Sequence, residues 1–303
     1  MATRKAAKRR AGKSLPSAIT ILIIILFVLV NGFNYFKEDT KLLSTNNDSD
    51  SCVHFIDVGQ GSSTLIQSGS KGILIDAGEK EYADKVINYI KSCGVKELEY
   101  VIASHPHTDH IGALSKVIEA VETKNIIMPK LSAQNMPTTR TYENLLLTIK
   151  DKGIKAIAAK YGSVYSVDDI RLEILGPIEQ NKDLNNMSVV CKATVLSTSF
   201  MLLADAETQE LKTIFAKGAN LESTFILMGH HGSRTSLFYS YLDSVNAKAA
   251  VISCGANNSY GHPHEEAIDY LNDSAIKYFR TDESGTIVVN CFDEGYNIKT
   301  EKG

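Results

Sequence analysis

The chain has 303 residues, 44% hydrophobic, 22% charged and 8% aromatic, a composition that supports a full-sized core and excludes disorder as the main state. Twenty Gly and six Pro without tripeptide periodicity exclude collagen-like and low-complexity classes. The net charge of −3 is uneven: six of the 32 basic residues (Arg4, Lys5, Lys8, Arg9, Arg10, Lys13) lie in the first 14 positions, leaving 26 basic against 35 acidic, or −9, for the remainder. So acidic a body disfavours tight unaided duplex binding, which draws its affinity from neutralised phosphates.

Residues 1–14 read as a basic cytoplasmic tail. Residues 15–30 are mostly apolar, without a break from 21 to 30, and the aromatics Phe33, Tyr35 and Phe36 follow. A helix over 15–36 spans about 33 Å, enough to cross a bilayer core of about 30 Å. The preceding positive charges favour a single-pass anchor with the N-terminus cytoplasmic and the rest of the chain extracellular. A signal peptide has the same parts, but no A-x-A-like site follows Val30, so secretion after cleavage is the alternative. Residues 37–51, rich in Ser, Thr, Asn and Asp, read as a solvated tether, and 52–303 as the folded domain. The five cysteines form no C-x-x-C pair, and they read as small buried hydrophobes.

Apolar runs of strand length recur at 53–58, 73–75, 101–103, 126–128, 201–204, 225–228, 249–252 and 287–289. Between them lie helical spacings such as Ala83/Val86/Ile87/Ile90, Leu114/Val117/Ile118/Val121, Tyr142/Leu145/Leu146/Ile149 and Phe238/Tyr241/Leu242/Val245. This alternation predicts an α/β layered domain, its sheets covered by helices and its sites on loops at strand ends. A short echo between residues 73–78 and 201–206, each an apolar strand running into Asp and small residues, hints at two similar halves.

The strand at 100–103 runs into Ser-His-Pro-His-Thr-Asp-His, which places His105, His107, Asp109 and His110 within six residues. Imidazole and carboxylate suit Zn²⁺, Mn²⁺ or Fe, and a turn can aim His105 and His107 at one ion and Asp109 and His110 at another. His230 and His231 follow a second strand, and His262 and His264 a third, so a sheet would converge seven of the eight histidines. The eighth, His54, lies within a strand and reads as a core histidine. Asp205 ends another strand ahead of a helix marked by Leu211, Ile214 and Phe215. Alone it would read as a helix N-cap; beside the histidines it reads as a carboxylate bridging two cations.

The H-x-H-x-D-H string, the Asp-ended strands at Asp76 and Asp205 and the later His-bearing loops together resemble the metallo-β-lactamase fold superfamily. Within it, Asp57-Val58-Gly59-Gln60-Gly61, Asn185-Asn186-Met187-Ser188, Gly229-His230-His231-Gly232-Ser233 and Asn257-Asn258-Ser259-Tyr260-Gly261-His262-Pro263 look like the extracellular hydrolase domain of ComEC-type competence proteins. The resemblance implies an αβ/βα four-layer sandwich with two divalent metal ions, Zn²⁺ or Mn²⁺, at one edge. It allots His105 and His107 to one metal and Asp109 and His110 to the other. Asp205 then bridges them, His262 completes the second site, one of His230 and His231 completes the first, and Asp76 orients the His loop. His107 and Ser62 depart from the ComEC-type pattern, where acidic residues are common; His107 brings the site closer to the superfamily's phosphodiesterases and phosphorylcholine esterases. Transport of DNA is not implied by the likeness.

The expected activity is hydrolysis by a di-metal-activated water, with Asp109 and the 230/231 pair in the machinery and His264 and Tyr260 placed to bind the transferring group or protonate the leaving group. Phosphoesters, including single-stranded DNA or nucleotides, are the leading substrate class, and a nuclease or phosphodiesterase the specific expectation. Hydrolysis of a carboxylic ester, lactone or amide, and a non-catalytic metal-stabilised surface module, are the alternatives.

Overall fold

The computed structural model describes residues 49–302. The expected tail at 1–14, anchor at 15–36 and all but the last residues of the tether lie outside them. No helix of the described residues is long and apolar enough to cross a membrane.

The chain opens with the strands β1 (Ser51–Phe55), β2 (Thr64–Ser68), β3 (Lys71–Ile75), β4 (Glu97–Ile102), β5 (Glu122–Met128) and β6 (Lys155–Ala158). It continues through β7 (Val164–Val167), β8 (Ile170–Ile174), β9 (Cys191–Val195), β10 (Thr198–Leu202), β11 (Phe225–Leu227), β12 (Ala249–Ile252) and β13 (Lys277–Arg280). The last two strands, β14 (Ile287–Cys291) and β15 (Tyr296–Thr300), return to the first sheet. The sheet orders are β15-β14-β1-β2-β3-β4-β5-β6 and β13-β12-β11-β10-β9-β8-β7. In each sheet an antiparallel meander gives way to parallel strands: β3 pairs antiparallel with β2 and parallel with β4, and β10 pairs antiparallel with β9 and parallel with β11.

Alternation along the strands sorts side chains to the two faces of each sheet. Val53, Phe55, Ile66 and Ile73 of the first sheet meet Leu172, Phe200, Phe225 and Val251 of the second in one buried cluster, with Phe200 stacked on Phe225 at 5.1 Å. The other face of β1 carries His54, whose Nδ1 lies 3.0 Å from the Tyr89 hydroxyl and whose Nε2 lies 3.1 Å from Gln67 Oε1. Burial brings its pKa down to about 4, so it is a neutral core histidine, as its position in the strand implied.

Tyr89 belongs to α1 (Ala83–Ser92), which covers that outer face together with α3 (Leu114–Ala120) and α4 (Arg140–Asp151); a single turn, α2 (Thr108–Ile111), lies between α1 and α3 in the chain. Against the outer face of the second sheet, Met201, Ile226 and Ile252 pack with Leu211 and Ile214 of α5 (Thr208–Phe215), Tyr241 and Leu242 of α6 (Tyr239–Val245) and Leu271 of α7 (Glu265–Asp273). The layers run helix, sheet, sheet, helix. The loops after β3, β4, β10, β11 and β12 leave the carboxyl ends of parallel strands, where α/β sheets place their sites.

Candidate metal centre

Asp76 directly follows β3 and adopts a left-handed conformation with φ 58°. That turn aims its carboxylate across to the loop after β4, where it accepts from the Ser104 amide at 2.8 Å, the Ser104 hydroxyl at 2.6 Å and His110 Nδ1 at 2.7 Å. Because the Ser104 hydroxyl proton goes to Asp76, its oxygen is left to accept from His105 Nδ1 at 3.1 Å. The Ser104 carbonyl accepts from the Val189 amide at 2.9 Å, which ties the His loop to the second sheet.

His231 is held in the same manner from the other side, with Nδ1 2.8 Å from the Ser253 carbonyl oxygen after β12. In each ring when neutral, this network places the proton on Nδ1 and leaves Nε2 of His105, His110 and His231 to take a metal cation or a second proton. All three Nε2 atoms point at carboxylates. His231 Nε2 lies 3.1 Å from Asp109 Oδ2 and 3.7 Å from Asp205 Oδ1. His110 Nε2 lies 3.1 Å from Asp205 Oδ1, yet is not aligned for a hydrogen bond and stands buried without one. His105 Nε2 lies 3.6 Å from Asp205 Oδ2 and 3.0 Å from His107 Nδ1.

Acceptors facing acceptors across 3 to 4 Å repel unless a proton or a metal cation stands between them. The donor set, imidazole and carboxylate, suits a divalent transition metal. Two groups of such atoms lie close enough to share an ion: Asp109, His110, Asp205 and His231, and His105, His107 and Asp205. Asp205 belongs to both. It is 2% exposed and does not cap the following helix, whose first turn is preceded by Glu207 with no side-chain cap.

The electrostatics agree with carboxylates that stay anionic. Burial works to raise the pKa of Asp205, but His110, His231 and His105 outweigh it and hold the group well below the usual carboxylate range. Burial likewise opposes ionisation of Asp109, and the His231 hydrogen bond and His110 reverse it. For His110 burial disfavours the charge, while Asp205 and Asp76 raise its pKa well above normal. His105 goes the other way, lowered first by burial and then by His110.

His231, His262 and His264 stand differently from their allotted places. The fourth group beside Asp109, His110 and Asp205 is His231 rather than His262. His262 instead stacks under the exposed Tyr260 ring at 5.7 Å, 5.3 Å from the His230 ring, its Nδ1 buried without a partner and its pKa lowered to about 4 by burial and the neighbouring histidines. His264 lies outside the cavity lining, where its Nδ1 accepts from the Arg234 amide at 3.2 Å, so the proton-transfer role expected of it has no geometric support. His230 turns the opposite way from His231, with Nε2 3.7 Å from Asp205 Oδ2 and Nδ1 3.3 Å from Glu207 Oε1.

A cavity of about 370 Å³ opens over this cluster, lined by Asp109, Asp205, His107, His230, His231 and His262 and, from outside the histidine loops, by Gln60, Thr139 and Asn185 among others. Gln60, Glu207, Ser104 and Ser253 were not singled out in the sequence as functional. Gln60 stood within a quoted motif; a backbone carbonyl such as that of Ser253 leaves no signal in residue type.

Residues 56–180 match the metallo-beta-lactamase superfamily. The domain has the metallo-β-lactamase fold. Among solved structures, the metallo-beta-lactamase fold protein YhfI from Bacillus subtilis superposes with a TM-score of 0.50 at 15% identity, over 78% of this chain and 99% of that one. CmlA beta-hydroxylase (E377D mutant) superposes with a TM-score of 0.52 at 10% identity, over 80% of this chain and 54% of that one. In sequence, ComE operon protein 3 of Bacillus subtilis (strain 168) is 28% identical over 254 residues, 78% of this chain and 32% of that protein. Competence protein ComA of Neisseria gonorrhoeae is 27% identical over 243 residues, 79% of this chain and 32% of that protein. This chain thus spans about a third of the length of these relatives, and the resemblance to competence proteins read from the motifs is met. The metallo-β-lactamase superfamily match and the paired ligand groups support a metal-dependent hydrolase.

Proposed function

We propose that this protein is a metal-dependent hydrolase of phosphoesters, tethered to the outer side of a cell membrane through residues 15–36. One observation carries the chemistry: the buried carboxylate of Asp205 is shared by two ligand groups at the floor of an open cavity. Zn²⁺ or Mn²⁺ suits those donors, and a pair of such ions, when bound, polarises water toward a nucleophile and stabilises the attacking and leaving oxygens of an in-line displacement. Asp76, Ser104 and the Ser253 carbonyl fix the ring orientations and tautomers that this requires. His230 lines the cavity with Glu207 behind its Nδ1, and we assign it the protonation of the leaving oxygen. Likeness to proteins named for competence puts nucleic acid first among substrates to test. A cavity of about 370 Å³ suits a nucleotide or a single-stranded end rather than a duplex.

The test uses the full-length protein loaded with Mn²⁺ or Zn²⁺, assayed on bis-p-nitrophenyl phosphate and on single-stranded DNA. Turnover is expected, and its loss in the double variant Asp109→Ala/His110→Ala; activity surviving in that variant would remove the metal mechanism. Resistance of the chain to alkaline carbonate extraction from membranes checks the tether. A second reading has an observation of its own: no Lys or Arg of the described residues lines the cavity, which suits a neutral ester, lactone or amide. Turnover of p-nitrophenyl acetate or a lactone, with none of any phosphodiester, would establish it.

A further inference from the structure

The loop after β1 places Gln60 in the cavity wall. Its Oε1 accepts from the Gly255 amide at 3.0 Å, a bond between the loop after β1 and the loop after β12. The two backbones meet closely there: a Cβ on Gly255 would stand 2.5 Å from the Gln60 nitrogen and 3.0 Å from the Gly59 carbonyl carbon, so only glycine fits at that crossing. With Oε1 anchored, the amide cannot flip without losing this bond. Nε2 is thereby directed away from Gly255, and it is buried with no hydrogen-bond partner in the protein. A buried amide donor left unmade costs about 1–3 kcal/mol, and such a group persists where a ligand supplies the acceptor.

We infer that Gln60 is a substrate-binding residue, its Nε2 donating to an anionic oxygen of the bound phosphoryl group. This rests on the phosphoester reading above and adds to it. It also meets a need of that reading, since no Lys or Arg of the described residues lines the cavity to meet a phosphoryl oxygen. A rigidly anchored amide is a neutral group that meets such an oxygen without adding charge, and a hydrogen bond to an ionised oxygen is the stronger kind.

The test compares the wild type with Gln60→Glu and Gln60→Met, all as full-length metal-loaded protein, with inorganic phosphate as the probe in titration calorimetry. Gln60→Glu keeps an oxygen for the Gly255 amide and replaces the donor with a charged oxygen; Gln60→Met removes the donor without adding charge, and with it the Gly255 bond. Both variants are expected to retain the wild-type metal content, with Tm unchanged in Gln60→Glu and slightly lower in Gln60→Met for its lost Gly255 bond, and to bind phosphate about 10- to 100-fold more weakly. KM for bis-p-nitrophenyl phosphate is expected to rise by the same factor, with kcat within about threefold, the pattern of a contact made equally before and during reaction. Phosphate binding that matches the wild type in both variants, that weakens only in Gln60→Glu, or that falls in step with metal content overturns the assignment alone. A metal-loaded wild type that neither binds phosphate nor cleaves the diester overturns the phosphoester reading, and this assignment with it.

Discussion

His105, His110 and His231 present the same face to the cavity because each commits its Nδ1 proton to an oxygen behind it: the Ser104 hydroxyl, Asp76 and the Ser253 carbonyl. Asp76 is the root of two of these, since it fixes both His110 and the Ser104 hydroxyl that receives His105. Asp76→Asn puts a donor where His110 needs an acceptor. The expected outcome is a metal affinity about 10- to 100-fold weaker with the fold intact, read by competition against a chromophoric chelator. Unchanged affinity would show that the tautomers are set elsewhere. Asp205→Asn is the sharper change, because both ligand groups lose their common carboxylate charge and one of its two oxygens becomes an amide nitrogen; elemental analysis is expected to find the pair of ions gone and activity with it. The run from His105 to His110 could be read directly, since four candidate ligands within six residues are local information. That His231 joins Asp109 and His110, rather than one of the His230/His231 pair joining His105 and His107, could not. Both members of that pair are left-handed, with φ 50° and 57°, and two such residues in succession throw their rings to different sides in a way no spacing rule anticipates.

At the scale of elements, the echo between residues 73–78 and 201–206 acquires a physical meaning. Both strands, β3 and β10, are the ones at which an antiparallel meander turns parallel, and each is followed within two residues by a left-handed residue, Asp76 or Ala204. The apolar runs located β1, β3, β4, β5, β10, β11, β12 and β14. They missed β2, buried throughout but interrupted by Thr64, Gln67 and Ser68, and the partly exposed edge strands β6 and β13. They also missed β8 and β9, whose burial alternates along Ile170–Ile174 and Cys191–Val195, with β7 and the half-buried β15, because antiparallel strands facing a core on one side alternate rather than run. The close fit of elements around the site is testable at Gly61, where an added Cβ would stand 2.4 Å from the Asp109 carbonyl oxygen. Gly61→Ala must push the turn bearing Asp109 and His110; a loss of about 1–3 kcal/mol of stability and a matching fall in metal affinity are expected from thermal melts and metal titration. Helix α5 carries a different device. Glu210 is 2% exposed, accepts from the Ile178 amide at 2.9 Å and is raised by burial from 4.5 to about 7. The folded state therefore holds this proton more tightly than the unfolded chain, so its contribution is fullest below about pH 4.5 and is lost as pH rises to about 7. Glu210→Gln keeps the acceptor and removes the titration. At pH 8 it is expected to be more stable than the wild type by about 2 kcal/mol, with no gain at pH 4.5. Parallel Tm profiles for the two proteins would show that Glu210 ionises freely.

For the molecule as a whole, the question is what holds five loops from two sheets in register when so many ionisable groups converge on one buried carboxylate. The hydrophobic layers bring the strand ends together, but they do not relieve Asp205, buried among His105, His110 and His231 with their Nε2 atoms turned toward it. The expected relief is cation binding, and anything that binds only the folded state stabilises it by RT ln(1 + [L]/Kd). At a free metal concentration about a thousand times Kd this is about 4 kcal/mol, or a Tm shift of about 8–16 °C for a domain of this size. Chelation should therefore lower the Tm by that amount, and titrating Zn²⁺ or Mn²⁺ back should restore it with saturation at two equivalents. In Asp205→Asn both the loss and the recovery should disappear, because the shared carboxylate is what makes the sites a pair. A Tm indifferent to chelator in the wild type would mean that protons alone reconcile the cluster. The convergence of the loops would then serve the fold and not a metal-dependent reaction.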